Sequence, residues 1–338
     1  MTFPARVVYI NRSDLDRKIF LREDITMAYM PLDKSKLYLE TEKMPKIWDL
    51  SQPWGWDTPL WPFPGARADL TFPRGQYLER FHKRTNTYTG TLHAATHCDA
   101  PNHTLHEEEV DRARYGYTLA EMKLEHAIGS GVIVDLTWMY DEFEKAFNAA
   151  GGDPKKMGDY AEIPGVKQGP IWHIITPEDV QKALDKDGLE IRPNDFVVLN
   201  TGFHRYWRIN NDKYFNYYPG NGPELAKWLM YEKKIKAIAG TYGASDSVVW
   251  HCPAKEQMPW LYNNYKLATG RDIDEDYPDY EPCHRLFGQH GLMAIENAGG
   301  DIDQVTGKRM TICAFPFRCE AADGGMVRLV AWEEGTKW

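Results

Sequence analysis

At 338 residues and 39.0 kDa the chain is long enough to bury a substantial core, in one large domain or two smaller ones. A formal charge of −9 and a pI near 5.7 argue against nucleic acid or an anionic membrane as the main partner, because both select for basic patches, and leave a small molecule as the expected one. Five cysteines, odd in number and without a C-x-x-C pair, exclude a disulfide framework or a thiolate zinc knuckle as the expected design.

The N-terminus, MTFPARVVYINRSDLDRK, lacks the apolar centre of a signal peptide, and no later run approaches the ~18 uninterrupted apolar residues of a membrane span. A reducing, cytoplasmic setting is expected. No repeat or low-complexity linker marks a boundary, so the simplest parse is an N-terminal extension over residues 1–44 followed by one catalytic domain over 45–338.

Short apolar, β-branched runs predict strands at KIWDL (46–50), GVIVDL (131–136), DFVVLNTG (195–202), IKAIAG (235–240), LMAIEN (292–297) and MVRLVAW (326–332). Helices are predicted between them. YTLAEMKLEHAIG reads as a helix with Thr118 and Glu121 forming a capping box, while TPEDVQKAL and GPELAKWLMYEKK carry Pro177 and Pro223 in their first turns. Strands mixed with helices imply an α/β or α+β domain.

The densest chemistry lies in TLHAATHCDAPNH, Thr91 to His103. His93 and His97 are four apart, so one helical turn puts both imidazoles on one face; Asp99, two further on, suits an extended exit. Pro101 biases Ala100 away from helix and predicts a turn there. Two imidazoles and a carboxylate then converge, a set that Zn²⁺, Mn²⁺ and Fe²⁺ all accept. His103, past the proline, reaches the same centre as a base rather than a ligand. Cys98 points the opposite way in an extended segment, and His106 reads as a solvated loop residue.

The segment HAATHCDAPNH resembles the H-x-G-T-H-x-D-x-P-x-H signature of the cyclase-like metal hydrolases, the group that includes bacterial kynurenine formamidase and isatin hydrolase. One position departs, with Ala95 where the family has glycine; its added methyl leaves the turn intact if that residue needs no positive φ. The resemblance runs from about Lys46 to Trp332 and includes HRLFGQHGLMAIENAGG, in which His284 precedes Glu296 by twelve positions. His290 is the rival to His284, and the family spacing favours His284. The chain exceeds the compact formamidases, with insertions expected around 138–173, 203–220 and 250–282.

The resemblance implies an α/β fold, a mixed β-sheet domain of the swivelling β/β/α type with surrounding helices. It also implies one ion held by His93, His97 and Asp99, and in binuclear members a second held by Asp99, His284 and Glu296. Zinc or manganese, one ion or two, is the expected cofactor. A divalent ion lowers the pKa of its bound water towards ~7 and polarises a carbonyl, so the expected activity is hydrolysis of a C–N bond in a small amide or cyclic amide. A lactonase or ring-closing cyclase on the same site, or a non-catalytic metal- or ligand-binding member of the fold, stays open.

Trp54, Trp56, Trp61 and Phe63 lie in the loop similar to the family's substrate-facing segment and are expected to meet an aromatic or heterocyclic substrate. Asp246, in YGASDS, reads as a turn or cap residue. A homodimer or homotetramer is expected from the family's habit.

Overall fold

The computed structural model describes residues 44–55, 57–61, 76–78, 83–85, 90–153, 172–250, 259, 262–263, 265–266 and 270–337. Pro45–Trp338 is one compact unit; the expected N-terminal extension, apart from Met44, lies outside the described residues. Nine strands form the main sheet: β1 (Trp48–Asp49), β2 (His97–Asp99), β3 (Ile128–Asp135), β4 (Phe196–Asn200), β5 (Ala237–Gly240), β6 (Met293–Glu296), β7 (Lys308–Cys313), β8 (Gly324–Met326) and β9 (Val330–Glu333). Their order is β1-β9-β7-β3-β4-β5-β6-β2-β8. The central pairs from β3 to β6 are parallel, and every pair outside them is antiparallel.

The expected strand MVRLVAW proves to be two strands, β8 and β9, separated by Val327–Leu329 alone. They stand seven places apart in the strand order, which is ~34 Å in a flat sheet at ~4.8 Å per strand. The link between them reaches at most ~14 Å. The sheet therefore curls until its edges approach, and Leu50 N donating to Leu329 O at 2.8 Å, with a bridge from Ser51 to Ala298, ties the curl.

Alternation along the inner strands separates two cores. Val132, Val134, Val197, Leu199, Ile238 and Ala294 face one; Ile133, Phe196, Val198, Ala237, Ala239 and Ile295 face the other. The helices cover the first face. Among them are α1 (Trp138–Ala149), α2 (Pro177–Asp187), α3 (Pro223–Lys227) and α4 (Pro282–Gln289), anchored by Phe143, Leu184, Leu225 and Phe287. Cys98 belongs to the second core, so His97 and Asp99 on either side of it project to the helix-covered face. No described helix is long and apolar enough to cross a membrane.

Two local readings need correction. YTLAEMKLEHAIG forms two short 3₁₀ turns, Leu119–Glu121 and Leu124–His126, and Thr118 makes no side-chain cap. Glu121 is engaged elsewhere, accepting from Tyr117 N at 2.8 Å and pairing with Arg112. By contrast, Thr176 caps α2, accepting from Asp179 N while Asp179 accepts in return. Helix α3 runs on into a π turn over Trp228–Glu232.

Candidate metal centre

The helical turn expected at His93 and His97 is absent. His97–Asp99 is strand, and the chain enters it through Ala95 in the left-handed region at φ 52°. This reversal, rather than helical periodicity, brings His93 back beside Asp99, with His93 Nδ1 3.0 Å from Asp99 Oδ1. Ala95 thus holds the positive φ that the glycine of the resembling signature adopts without cost, and its carbonyl in that pose accepts from His97 Nδ1 at 2.9 Å. A left-handed alanine costs roughly 1–2 kcal/mol, and glycine returns part of that gain as unfolded-chain entropy. Ala95→Gly is accordingly expected to raise stability by up to ~1 kcal/mol with metal uptake unchanged, read from the urea midpoint; a clear loss of stability would contradict the strain.

Sheet register supplies the next residue. Glu296, the last residue of β6, pairs directly across from His97, and both are buried. It lies at the carboxyl end of the parallel strands, where open α/β sheets build their sites. His284 arrives on α4 from the helix layer. Within the cluster His97 Nε2 lies 3.4 Å from Asp99 Oδ1 and 3.6 Å from Glu296 Oε2, and His284 Nε2 lies 3.5 Å from Asp99 Oδ2 and 3.0 Å from Glu296 Oε1.

Most of these separations are long for hydrogen bonds. They match the ~3.3 Å between neighbouring ligand atoms around an ion bonded at ~2.0–2.1 Å. Two triads, His93–His97–Asp99 and Asp99–His284–Glu296, each have ligand atoms within 4.8 Å of one another, and Asp99 belongs to both. Asp99 Oδ2 is buried without a hydrogen bond among the described residues, which is costly unless a cation meets it. The donor set is therefore compatible with divalent metal.

The imidazoles are oriented from behind. His284 Nδ1 lies 2.6 Å from Asp246 Oδ2, and Asp246 also accepts from the backbone N of Cys283 and His284 at 2.8 and 3.0 Å. Asp246 is thus more than the turn or cap residue expected: it binds the first turn of α4 and fixes the His284 ring with Nε2 inward. Glu296 Oε1 is held by Ser245 N at 2.5 Å. His290 is exposed beside Tyr231, bonded to its hydroxyl at 2.8 Å, and takes no part.

Electrostatics follow from this crowding. Burial lowers the His93 imidazole, but Asp323 and Asp99 outweigh it and raise the pKa to about 10. Burial opposes protonation of His284 likewise, yet Glu281, Asp246 and Glu296 hold its pKa well above the usual value. Burial would raise Asp99, and the histidines around it push it well below the carboxylate range. In the metal-free protein both imidazoles hold protons at neutral pH, which an incoming ion must displace. Metal uptake is expected to release protons and to tighten as pH rises towards about 10, measurable by calorimetry in two buffers of different ionisation enthalpy. Uptake without proton release would contradict that.

Above the cluster sits a cavity of about 210 Å³, walled on its apolar side by Leu60, Trp61, Ala244 and Tyr280 and on its polar side by His103, Glu281 and the imidazoles. It shares His103, Tyr280 and Glu281 with a wider cleft of about 880 Å³. Trp61 is fixed by its Nε1–H donating to Gly243 O at 3.2 Å and by Phe215 and Tyr218, whose ring centroids lie 5.1 and 5.9 Å away. Trp54 packs on the helix-side core and does not line the cavity; Trp56 and Phe63 lie outside the described residues. His103 ends a 3₁₀ turn opened by Pro101 and stacks on His93 at 4.0 Å between centroids. His106 is exposed. Asp323, immediately before β8 and not among the expected site residues, stands 3.2 Å from His93 Nε2.

A curled mixed sheet with helices on one face and a carboxylate–imidazole cluster at its strand ends defines the cyclase-like α/β class. Isatin hydrolase A from Ralstonia solanacearum superposes with a TM-score of 0.60 at 16% identity, over 86% of this chain and 92% of that one. Isatin hydrolase A from Labrenzia aggregata, bound to benzyl benzoate, gives 0.59 at 18% identity, over 85% and 93%. A structure described as a potential metal-dependent hydrolase with cyclase activity gives 0.51 at 15%, over 87% and 100%. At these identities the likeness shows the fold. No curated protein matches the chain in sequence. The family model described as "Putative cyclase" matches residues 48–246, and the chain belongs to that family.

Proposed function

We propose that the protein is a metal-dependent hydrolase that cleaves the C–N bond of a small amide or cyclic amide with an aromatic or heterocyclic ring. The observation that carries this reading is two ligand triads sharing Asp99, directly beneath a cavity that has an aromatic wall and an imidazole outside both triads. His93, His97 and Asp99 would hold one zinc or manganese ion, and Asp99, His284 and Glu296 a second. Such ions supply an acidic bound water and a Lewis acid for the carbonyl.

The chain's own residues do the rest. Trp61, immobilised by its bond to Gly243 O, offers a ring face for stacking a planar substrate, and Leu60 and Ala244 exclude water around it. His103 carries the proton from the attacking water to the leaving nitrogen, a task suited to an imidazole. Asp246 and the Ala95 carbonyl keep the inner imidazoles aimed while this happens.

The test is hydrolysis of a panel of formanilides, cyclic imides, lactams and lactones by metal-stripped protein reconstituted with Zn²⁺ or Mn²⁺. Metal-dependent turnover of formanilides, imides or lactams is expected. Turnover of lactones alone moves the reading to a lactonase, and tight metal binding without turnover of any of them moves it to a binding protein.

A further inference from the structure

Each inner imidazole of the cluster has an oxygen behind it. His97 Nδ1 faces the Ala95 carbonyl at 2.9 Å and His284 Nδ1 faces Asp246 at 2.6 Å. His93 turns Nδ1 towards Asp99, at 3.0 Å, so its outer nitrogen is Nε2; that nitrogen is buried without a hydrogen bond among the described residues, and the oxygen nearest it is Asp323 Oδ2, at an ion-pair distance of 3.2 Å. The same oxygen lies 3.6 Å from His103 Nδ1. We propose that Asp323 is a positioning residue of the centre, its carboxylate placed behind the metal-facing His93 and beside the proton-carrying His103.

The backbone around Asp323 is arranged for this contact. Asp323 O accepts from Ala100 N at 2.8 Å, which docks the start of β8 on the histidine segment. Gly324 pairs opposite Asp99, and a Cβ there would lie 2.6 Å from His93 Cε1 and 2.9 Å from Nε2. Only glycine leaves room for the ring to reach Asp323. His93, His103 and Asp323 could also be taken as a third set of metal donors. With an ion on Nδ1 of His93, as the proposed centre requires, Nε2 would carry the hydrogen and could not bind a second ion. Asp323 therefore acts on His93 as an acceptor, fixing which nitrogen faces inward.

The inference rests on the proposed metal centre, and the experiment separates the two. Metal-stripped wild type, Asp323→Ala and Asp323→Asn are compared by chelator competition for Zn²⁺, by Co²⁺ electronic absorption, and by thermal unfolding without metal. Asp323→Ala is expected to weaken metal binding by roughly 10–100-fold and to alter the Co²⁺ bands, in a metal-free protein that still unfolds cooperatively. Asp323→Asn, which keeps an acceptor oxygen, should recover most of the affinity. Wild-type affinity and spectrum in Asp323→Ala would overturn the inference while leaving the centre standing. Loss of one whole equivalent of ion, the rest binding normally, would overturn it in favour of a ligand role. A wild type that binds no divalent metal overturns the inference and the centre together.

Discussion

Replacing Asp99 by alanine is expected to empty the centre. Asp99 is the only residue in both triads, and its two oxygens face different histidines, Oδ1 towards His93 and His97 and Oδ2 towards His284. Losing it leaves each triad with two donors and a buried cluster of imidazoles without its central anion. Metal content by elemental analysis should fall to background. Turnover should fall by about 10³-fold or more, since the electrostatic contribution of a bound ion amounts to several kcal/mol. The single variants of His93, His97, His284 and Glu296 should each lose tightly bound metal as well, with Asp99→Ala the most severe. A variant that keeps the full wild-type metal content would show that the ions bind elsewhere.

His103→Ala should behave in the opposite way, keeping the metal and losing the reaction. His103 belongs to neither inner triad, and its ring stands between His93, against which it stacks, and the cavity it lines. Its removal should leave the ligands in place and remove a proton carrier, an effect of roughly 10²–10⁴-fold on kcat. The wild-type pH–rate profile should show an ionisation that the variant lacks. Wild-type metal content with wild-type rate would make His103 structural, and loss of metal would make it a ligand.

Much of this centre was legible because three candidate ligands and the proton carrier sit within a few residues of one another, in a spacing specific enough to suggest a family. His284 and Glu296 were reached through the spacing of that resemblance and not through chemistry visible in the chain itself. The geometry of the motif was misread. A separation of four suggested a helical turn, whereas a left-handed Ala95 does the work of reversal, and φ at an alanine leaves no mark on composition or periodicity. Asp246 was legible only as a cap, which it is, because its second role depends on where α4 places His284. Asp323 had no signal. It meets His93 only because the sheet curls and lays β8 against β2.

The same long-range geometry explains the errors of fold. MVRLVAW, apolar but for Arg328, suits one strand, and nothing local reveals that its halves join strands at distant places in the order. Lys308–Cys313 was missed as a strand because it begins with two charged residues; yet Arg309 is held by Asp195 at 2.9 Å, so the charge is part of the packing.

The most direct measurement is an anomalous difference map from a crystal of the full chain grown with Mn²⁺. The account predicts density between His93, His97 and Asp99, with ligand atoms at roughly 2.0–2.3 Å, and on full loading a second peak between Asp99, His284 and Glu296. A map without density in this cluster, in a crystal where Mn²⁺ is bound elsewhere or not at all, would contradict it.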